Sequence, residues 1–134
     1  MNHGRRSGAA ALGVTRIAAA LLFMEHGIQK LFGGMGGVGA PGKTADVMTL
    51  LGVAGILEFF GGILLAFGAF TRPVAAILAA EMVTAFFIGH FPRGGWPVQN
   101  QGELALLYAA VFVTLAALGG GAFSVDRALH AWRG

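Results

Sequence analysis

Glu25, His26, Gln29 and Lys30 crowd into six positions at the end of an apolar run that begins at Ala9 and ends at Phe32. On a helix, Glu25 stands one turn from Gln29 and His26 one turn from Lys30, so each pair shares a face. A charged side chain at the bilayer centre costs roughly 2.5–3.5 kcal/mol even on the gentler insertion scales. Such groups therefore lie near an interface, or face protein or water. Two chemistries suit the set: a proton relay, or recognition of a polar headgroup. The plainer alternative is a helix end meeting water, with Lys30 snorkelling to the interface.

Glu58 and Glu81 each stand inside a later apolar run. A carboxyl so placed either exchanges protons or bonds across helices, with Gln29 and Tyr108 as candidate partners. His90 closes the third run, and Asn100 and Glu103 open the fourth. Glu81 and His90 are nine positions apart, about half a turn out of phase on a regular α-helix, so they should not share a face. Asn100-Gln101-Gly102-Glu103 also fits a variant capping box, which explains both residues without function. His26 and His90 lack a ligand-spacing motif, so no metal or haem site is assigned. Arg16 lies in the first half of the first run, placed to snorkel or to meet a carboxylate.

These side chains require helices to position them. The apolar segments cover residues 9–32, 47–70, 73–90 and 103–118. About 20 apolar residues cross a bilayer, and backbone in lipid must satisfy its own hydrogen bonds. A Gly-rich loop (33–46), a tight link at Thr71-Arg72-Pro73 and a Pro/Gly/Asn loop (91–102) join them. Such short connections predict an all-α fold, an integral membrane four-helix antiparallel bundle. Gly52, Gly55 and Gly62 fall on or near one face of the second helix, where they permit close backbone approach. Residues 124–132 read as a short interfacial helix with Ser124 as N-cap and Trp132 at headgroup level. The first run contains Arg16 and ends in Glu-His rather than a cleavage site, so it reads as a retained helix and not a secretory signal. One side receives Arg5, Arg6, Arg72, Arg127 and Arg133, the other Lys30, Lys43 and Arg93. The positive-inside rule then places both termini in the cytoplasm.

The 134 residues suit a single domain, and 56% are hydrophobic while 11% are charged. Soluble domains carry about 25% charged residues, so the composition is that of a membrane protein. No cysteine is present, which excludes thiol–disulfide chemistry, cysteine zinc sites and iron–sulfur ligation by this chain. The net charge of +3 is spread over termini and loops, with no basic stripe for nucleic acid. Gly37-Val38-Gly39-Ala40-Pro41-Gly42-Lys43-Thr44 matches the P-loop pattern. That motif needs a strand before it and a helix after it, whereas here a membrane helix precedes it. Nucleotide binding at 37–44 is accordingly disfavoured.

The combined pattern resembles the DoxX family of small membrane proteins. Arg16 followed by His26-Gly27-Ile28-Gln29-Lys30-Leu31-Phe32-Gly33 is similar to its first-helix signature, and Glu58-Phe59-Phe60-Gly61-Gly62 to its second. Thr71-Arg72 matches its tight link. His90-Phe91-Pro92-x-Gly94, followed by Asn100-x-Gly102-Glu103, resembles its loop between helices three and four. The likeness runs over about residues 12–127. It implies four membrane helices in a bacterial-type inner membrane. It also implies a role beside quinone-linked oxidoreductases or redox-stress assemblies. The ionisable matched positions are expected to line a shared pocket.

Together these readings predict a polar pocket in the outer half of the bundle. His26 and Glu58 would be proton donors. Glu25, Gln29, Lys30, Glu81, His90, Asn100 and Glu103 would bind ligand, and a quinone headgroup would be the substrate. No cofactor is held covalently or by motif. The expected partners are the lipid bilayer, a soluble redox enzyme and a second copy of the chain. Two other classes stay open: a non-enzymatic anchor for soluble redox proteins, and a small proton-coupled transporter.

Overall fold

The computed structural model describes residues 3–133, all of its regular structure helical. Helix α1 (His3–Phe32) begins six residues before the apolar run, so the leader with Arg5 and Arg6 forms exposed helical turns. Helix α2 (Leu50–Phe67) is shorter at both ends than its hydrophobicity suggests. Thr49 caps it, its side chain accepting from the Gly52 N–H at 3.2 Å, and Gly68 ends it in the left-handed conformation at φ 66°. Glycine adopts that conformation without the steric cost a side chain brings. Helix α3 (Thr71–Ala85) starts three residues after Gly68, and runs on through one π-helical turn (Phe86–His90) and a 3₁₀ turn (Phe91–Arg93). A short helix α4 (Pro97–Asn100) precedes α5 (Glu103–Leu118), whose bounds are those read from sequence because Gly102 and Gly119 flank it. Helix α6 (Val125–Arg133) closes the chain, with Ser124 Oγ accepting from the Arg127 N–H at 3.3 Å, as an N-cap should.

Three of these segments (α1, α2, and α3 continued to Arg93) are long and apolar enough to cross a membrane. Helix α5 is apolar but shorter, at 16 residues. Large apolar side chains face outward, including Leu21, Phe60 and Leu107. In water such a belt would be costly, and in lipid it is the expected surface. The fold is a helical membrane bundle.

Packing is uneven. Helices α1 and α2 form one intimate pair, α3 and α5 the other, and α1 touches α5 only lightly. The α1–α2 seam is closed by glycine. A Cβ on Gly27 would lie 2.5 Å from the backbone N of Phe59, and one on Gly62 would lie 2.2 Å from Met24 Cγ. Gly55 backs onto Lys30 and Leu31, whereas Gly52 faces the loop backbone at Asp46 and Val47. Phe23, Leu65, Leu78, Phe112 and Leu115 fill the centre. The Phe23 and Phe112 rings meet edge to face with centroids 4.9 Å apart.

The end holding the chain termini is tied by two charged groups. Arg16 neither snorkels nor meets a carboxylate in a hydrogen bond. It is fully buried and donates to the carbonyls of Gly120, Ala122 and Phe123 in the turn after α5. A guanidinium fork satisfies several carbonyls at once, which offsets much of the cost of burying it, with Nε alone left unpartnered. Asp126, in the first turn of α6, accepts the N–H groups of Phe70 and Thr71 at 2.8 Å each and so caps α3 from across the fold. Burial pushes the Asp126 carboxyl up, but these backbone bonds outweigh it and hold it below the ordinary aspartate value.

Candidate functional site

At the end of the bundle opposite the termini, the helices enclose a cavity of about 280 Å³. Helix α1 contributes Phe23, His26 and Lys30, and α2 contributes Glu58. Helix α3 and its π turn add Met82, Ala85 and His90. Gln101, Leu104, Ala105 and Tyr108 complete the lining from α5 and the residue before Gly102.

Lys30 and Glu58 form its charged floor. Lys30 Nζ lies 2.6 Å from both carboxylate oxygens of Glu58, and the two side chains are 16% and 4% exposed. The pair depends on the glycine seam. Gly55, Glu58 and Gly62 recur at helical spacing on one face of α2, so the helices come close enough for Lys30 to reach across. Lys30 therefore does not snorkel away, and Glu58 bonds neither Gln29 nor Tyr108.

His26 faces Tyr108, ring edge to ring face, with centroids 6.1 Å apart. Tyr108 in turn packs on Phe23 and Phe112. His90 arrives by way of the π turn. The Phe91 N–H bonds the Phe86 carbonyl five residues back, and this wider turn rotates the following residues relative to a regular helix. His90 thus joins Met82 and Ala85 at the cavity while Glu81 lies outside the lining, so the two do not share a face, as their spacing predicts. The Nδ1 of His90 lies 3.1 Å from both the Asn100 carbonyl and an Arg93 nitrogen. That nitrogen is committed to the loop, leaving Nε2 for chemistry.

The structure thus gathers His26, Lys30, Glu58 and His90 into one lining. It does not bring in Glu25 or Glu103, which are exposed, or Gln29, whose amide donates weakly to the Met35 carbonyl at 3.4 Å. Asn100 is buried and shapes the loop: its amide donates to Gly94 O at 2.6 Å and its oxygen accepts the Gly102 N–H at 2.8 Å. The capping-box reading is replaced by this arrangement, since Gly102 caps α5 without a side chain. Both carboxylate oxygens of Glu81 are buried without a protein partner, outside the lining. Gln101 and Tyr108 were not among the predicted site residues. Tyr108 carried a signal, as the chain's one tyrosine within an apolar run. Gln101 carried none. The 37–44 stretch folds as turns between α1 and α2, with Val38 N–H bonded to Lys43 O and no strand before it.

The sequence profile of DoxX matches residues 11–91. The chain belongs to the DoxX family. An uncharacterized protein of Haemophilus influenzae is 40% identical over 125 residues, covering 86% of this chain and 87% of the relative. The inner membrane protein YqjF of Escherichia coli is 33% identical, over 87% of this chain and 90% of its own length. The inner membrane protein YphA of the same organism is 30% identical, over 85% and 86%. No solved structure matches. Like those two relatives, this DoxX protein is a multi-pass protein of the inner membrane. The DoxX match holds Arg16, His26, Lys30, Glu58 and His90, so the buried arginine and four of the cavity's polar groups lie within it.

Proposed function

We propose that this cavity receives the headgroup of a quinone and that the chain serves as the membrane subunit of a quinone-linked redox assembly. One observation carries the reading. An ion pair, two histidines, a tyrosine and a glutamine converge in a membrane cavity whose other walls are apolar. A flat ring with two carbonyls needs polar groups at its oxygens and apolar contact over its faces, and such a mixture marks small-molecule sites. The volume, near the lower end of the range for ligand pockets, suits a headgroup rather than a whole ligand.

Reduction of a quinone to a quinol takes two electrons and two protons. The protons would pass through His26 and the Lys30–Glu58 pair, and a proton given up by the pair would have to be replaced from water, because its loss leaves the Glu58 carboxylate unpaired and nearly buried. Tyr108 and His90 would orient the ring. The chain has no cysteine for an iron–sulfur carrier, so the electrons would come from a partner redox protein.

The test is quinone binding by the protein in nanodiscs, wild type against Glu58→Gln and His26→Ala. Binding that falls about tenfold in both variants, equivalent to about 1.4 kcal/mol, supports the site. Absence of binding by a folded wild type removes it and favours a membrane anchor for soluble partners.

A further inference from the structure

A second hollow, of about 190 Å³, lies between α1 and α5 nearer the end that holds the termini. It is lined by Leu12 and Thr15 on α1 and by Ala110, Val111, Thr114 and Leu115 on α5. Its walls offer an alkyl surface, because the Thr114 hydroxyl is spent on the Ala110 carbonyl of its own helix at 2.9 Å.

The hollow and the polar cavity share one seam. On α1, Leu12, Thr15, Ala19, Leu22 and His26 recur at intervals of three and four, one stripe along the helix. On α5, Leu104, Tyr108, Val111 and Leu115 do the same. Each stripe has its polar-cavity residues at one end and its hollow residues at the other. Only Ala19 and Leu22 bridge the two on α1. From His26 to Leu12 the stripe runs about 21 Å at the helical rise per residue. The backbones of α1 and α5 approach each other at few points, and the two helices meet chiefly through the rings of Phe23, His26, Tyr108 and Phe112.

We propose that the α1–α5 seam seats the hydrocarbon tail of the ligand whose head occupies the polar cavity, so that the substrate class is a long-tailed quinone admitted sideways from the bilayer. The inference rests on the headgroup reading above and adds the tail to it. The direction agrees with the chemistry of an amphiphile. The polar end of the seam lies toward one membrane face and the apolar end runs toward and past the midplane, as the chain of a lipid does.

The test compares two probes, a tailless benzoquinone and the same ring carrying a decyl chain, for binding in nanodiscs. The proteins are wild type, Ala110→Phe and Thr114→Phe, with Val113→Phe as control. Ala110, Thr114 and Val113 are all exposed, so the bulkier side chains leave the core intact. Partition of the decyl ring into lipid is common to every variant and cancels in the ratio of affinities. The expected result is that both groove variants lower affinity for the decyl ring about tenfold relative to the tailless ring, with Val113→Phe leaving the ratio at its wild-type value. An unchanged ratio in the groove variants, with the tailless ring still bound, overturns the tail seat alone. Wild type binding neither ring overturns the headgroup reading and the tail with it. Spontaneous disulfide pairing of an Ala110→Cys variant between copies would assign the seam to a second chain and overturn it too.

Discussion

Lys30 and Glu58 meet across the seam where α1 and α2 run closest, with Nζ equidistant from the two carboxylate oxygens at 2.6 Å. Removing one member leaves the other charged and nearly buried. Loss of one partner of a buried pair costs about 3–5 kcal/mol, and the partial exposure of Lys30 sets this pair at about 3. Lys30→Met and Glu58→Leu are each expected to lower stability in detergent by that amount. The double variant should lose less than the sum, because neither charge is stranded. Unfolding of all four proteins gives the coupling directly. Additive losses would show that the two groups do not stabilise each other.

The glycine seam beneath the pair gives a second expectation. A Cβ on Gly27 meets the backbone of Phe59, which cannot move aside as a side chain would. Gly27→Ala should therefore destabilise by about 1–3 kcal/mol, the usual cost of overpacking. Gly8→Ala, on the same helix, meets nothing within 4 Å. It should stabilise by a few tenths to about 1 kcal/mol through helix propensity alone. Thermal unfolding of the two variants separates packing from propensity. It should also show Gly27→Ala weakening any ligand affinity that depends on the Lys30–Glu58 pair.

Much of this architecture was legible in the sequence, for local reasons. Segment 103–118 is bounded by glycines, so its ends were visible. Segment 47–70 was read too long because hydrophobicity continues through the Thr49 cap and the Gly68 turn, where hydrogen bonding and not polarity ends the helix. Glu81 and His90 part as their nine-residue spacing predicts, His90 in the lining and Glu81 outside it, although a π turn lies between them. The Lys30–Glu58 pair joins two helices, and spacing along one chain carries no information about register between helices. Arg16 was assigned to lipid headgroups or a carboxylate for the same reason. Its carbonyl partners lie more than a hundred residues away.

The Asp126 clasp predicts acid sensitivity at the terminal end. Its carboxyl is held below the ordinary value of 3.8 by the N–H groups of Phe70 and Thr71. A depressed folded-state pKa stabilises the fold above the unfolded value, and the contribution disappears as pH falls through the folded one. The docking of α6 should therefore be constant near neutrality and weaken only in acid below that ordinary value. In a Trp96→Phe background, Trp132 is the remaining tryptophan and sits on α6. Its emission should shift in acid. Asp126→Asn should abolish the transition by releasing α6 at every pH. An identical acid transition in Asp126→Asn would assign it to another group.

The last prediction concerns direction across the membrane. The N-terminal turns of α1, the α2–α3 link and α6 share one end of the bundle, joined by the Ala122 N–H to Ala9 carbonyl bond and by the Asp126 cap. Arg5, Arg6, Arg72, Arg127 and Arg133 therefore gather there, while Lys30, Lys43 and Arg93 lie at the cavity end. Positive charge is retained in the cytoplasm, so the cavity should open toward the outer face. The absence of native cysteine makes this directly measurable, since any introduced thiol is the sole target. In spheroplasts, a membrane-impermeant maleimide should label Thr44→Cys and Val98→Cys at once. It should reach Ser7→Cys and Ala131→Cys only after permeabilisation. The reverse pattern would place the mouth on the cytoplasmic side. Protons taken up at the Lys30–Glu58 pair would then come from the cytoplasm, and a soluble electron donor there could face the cavity directly.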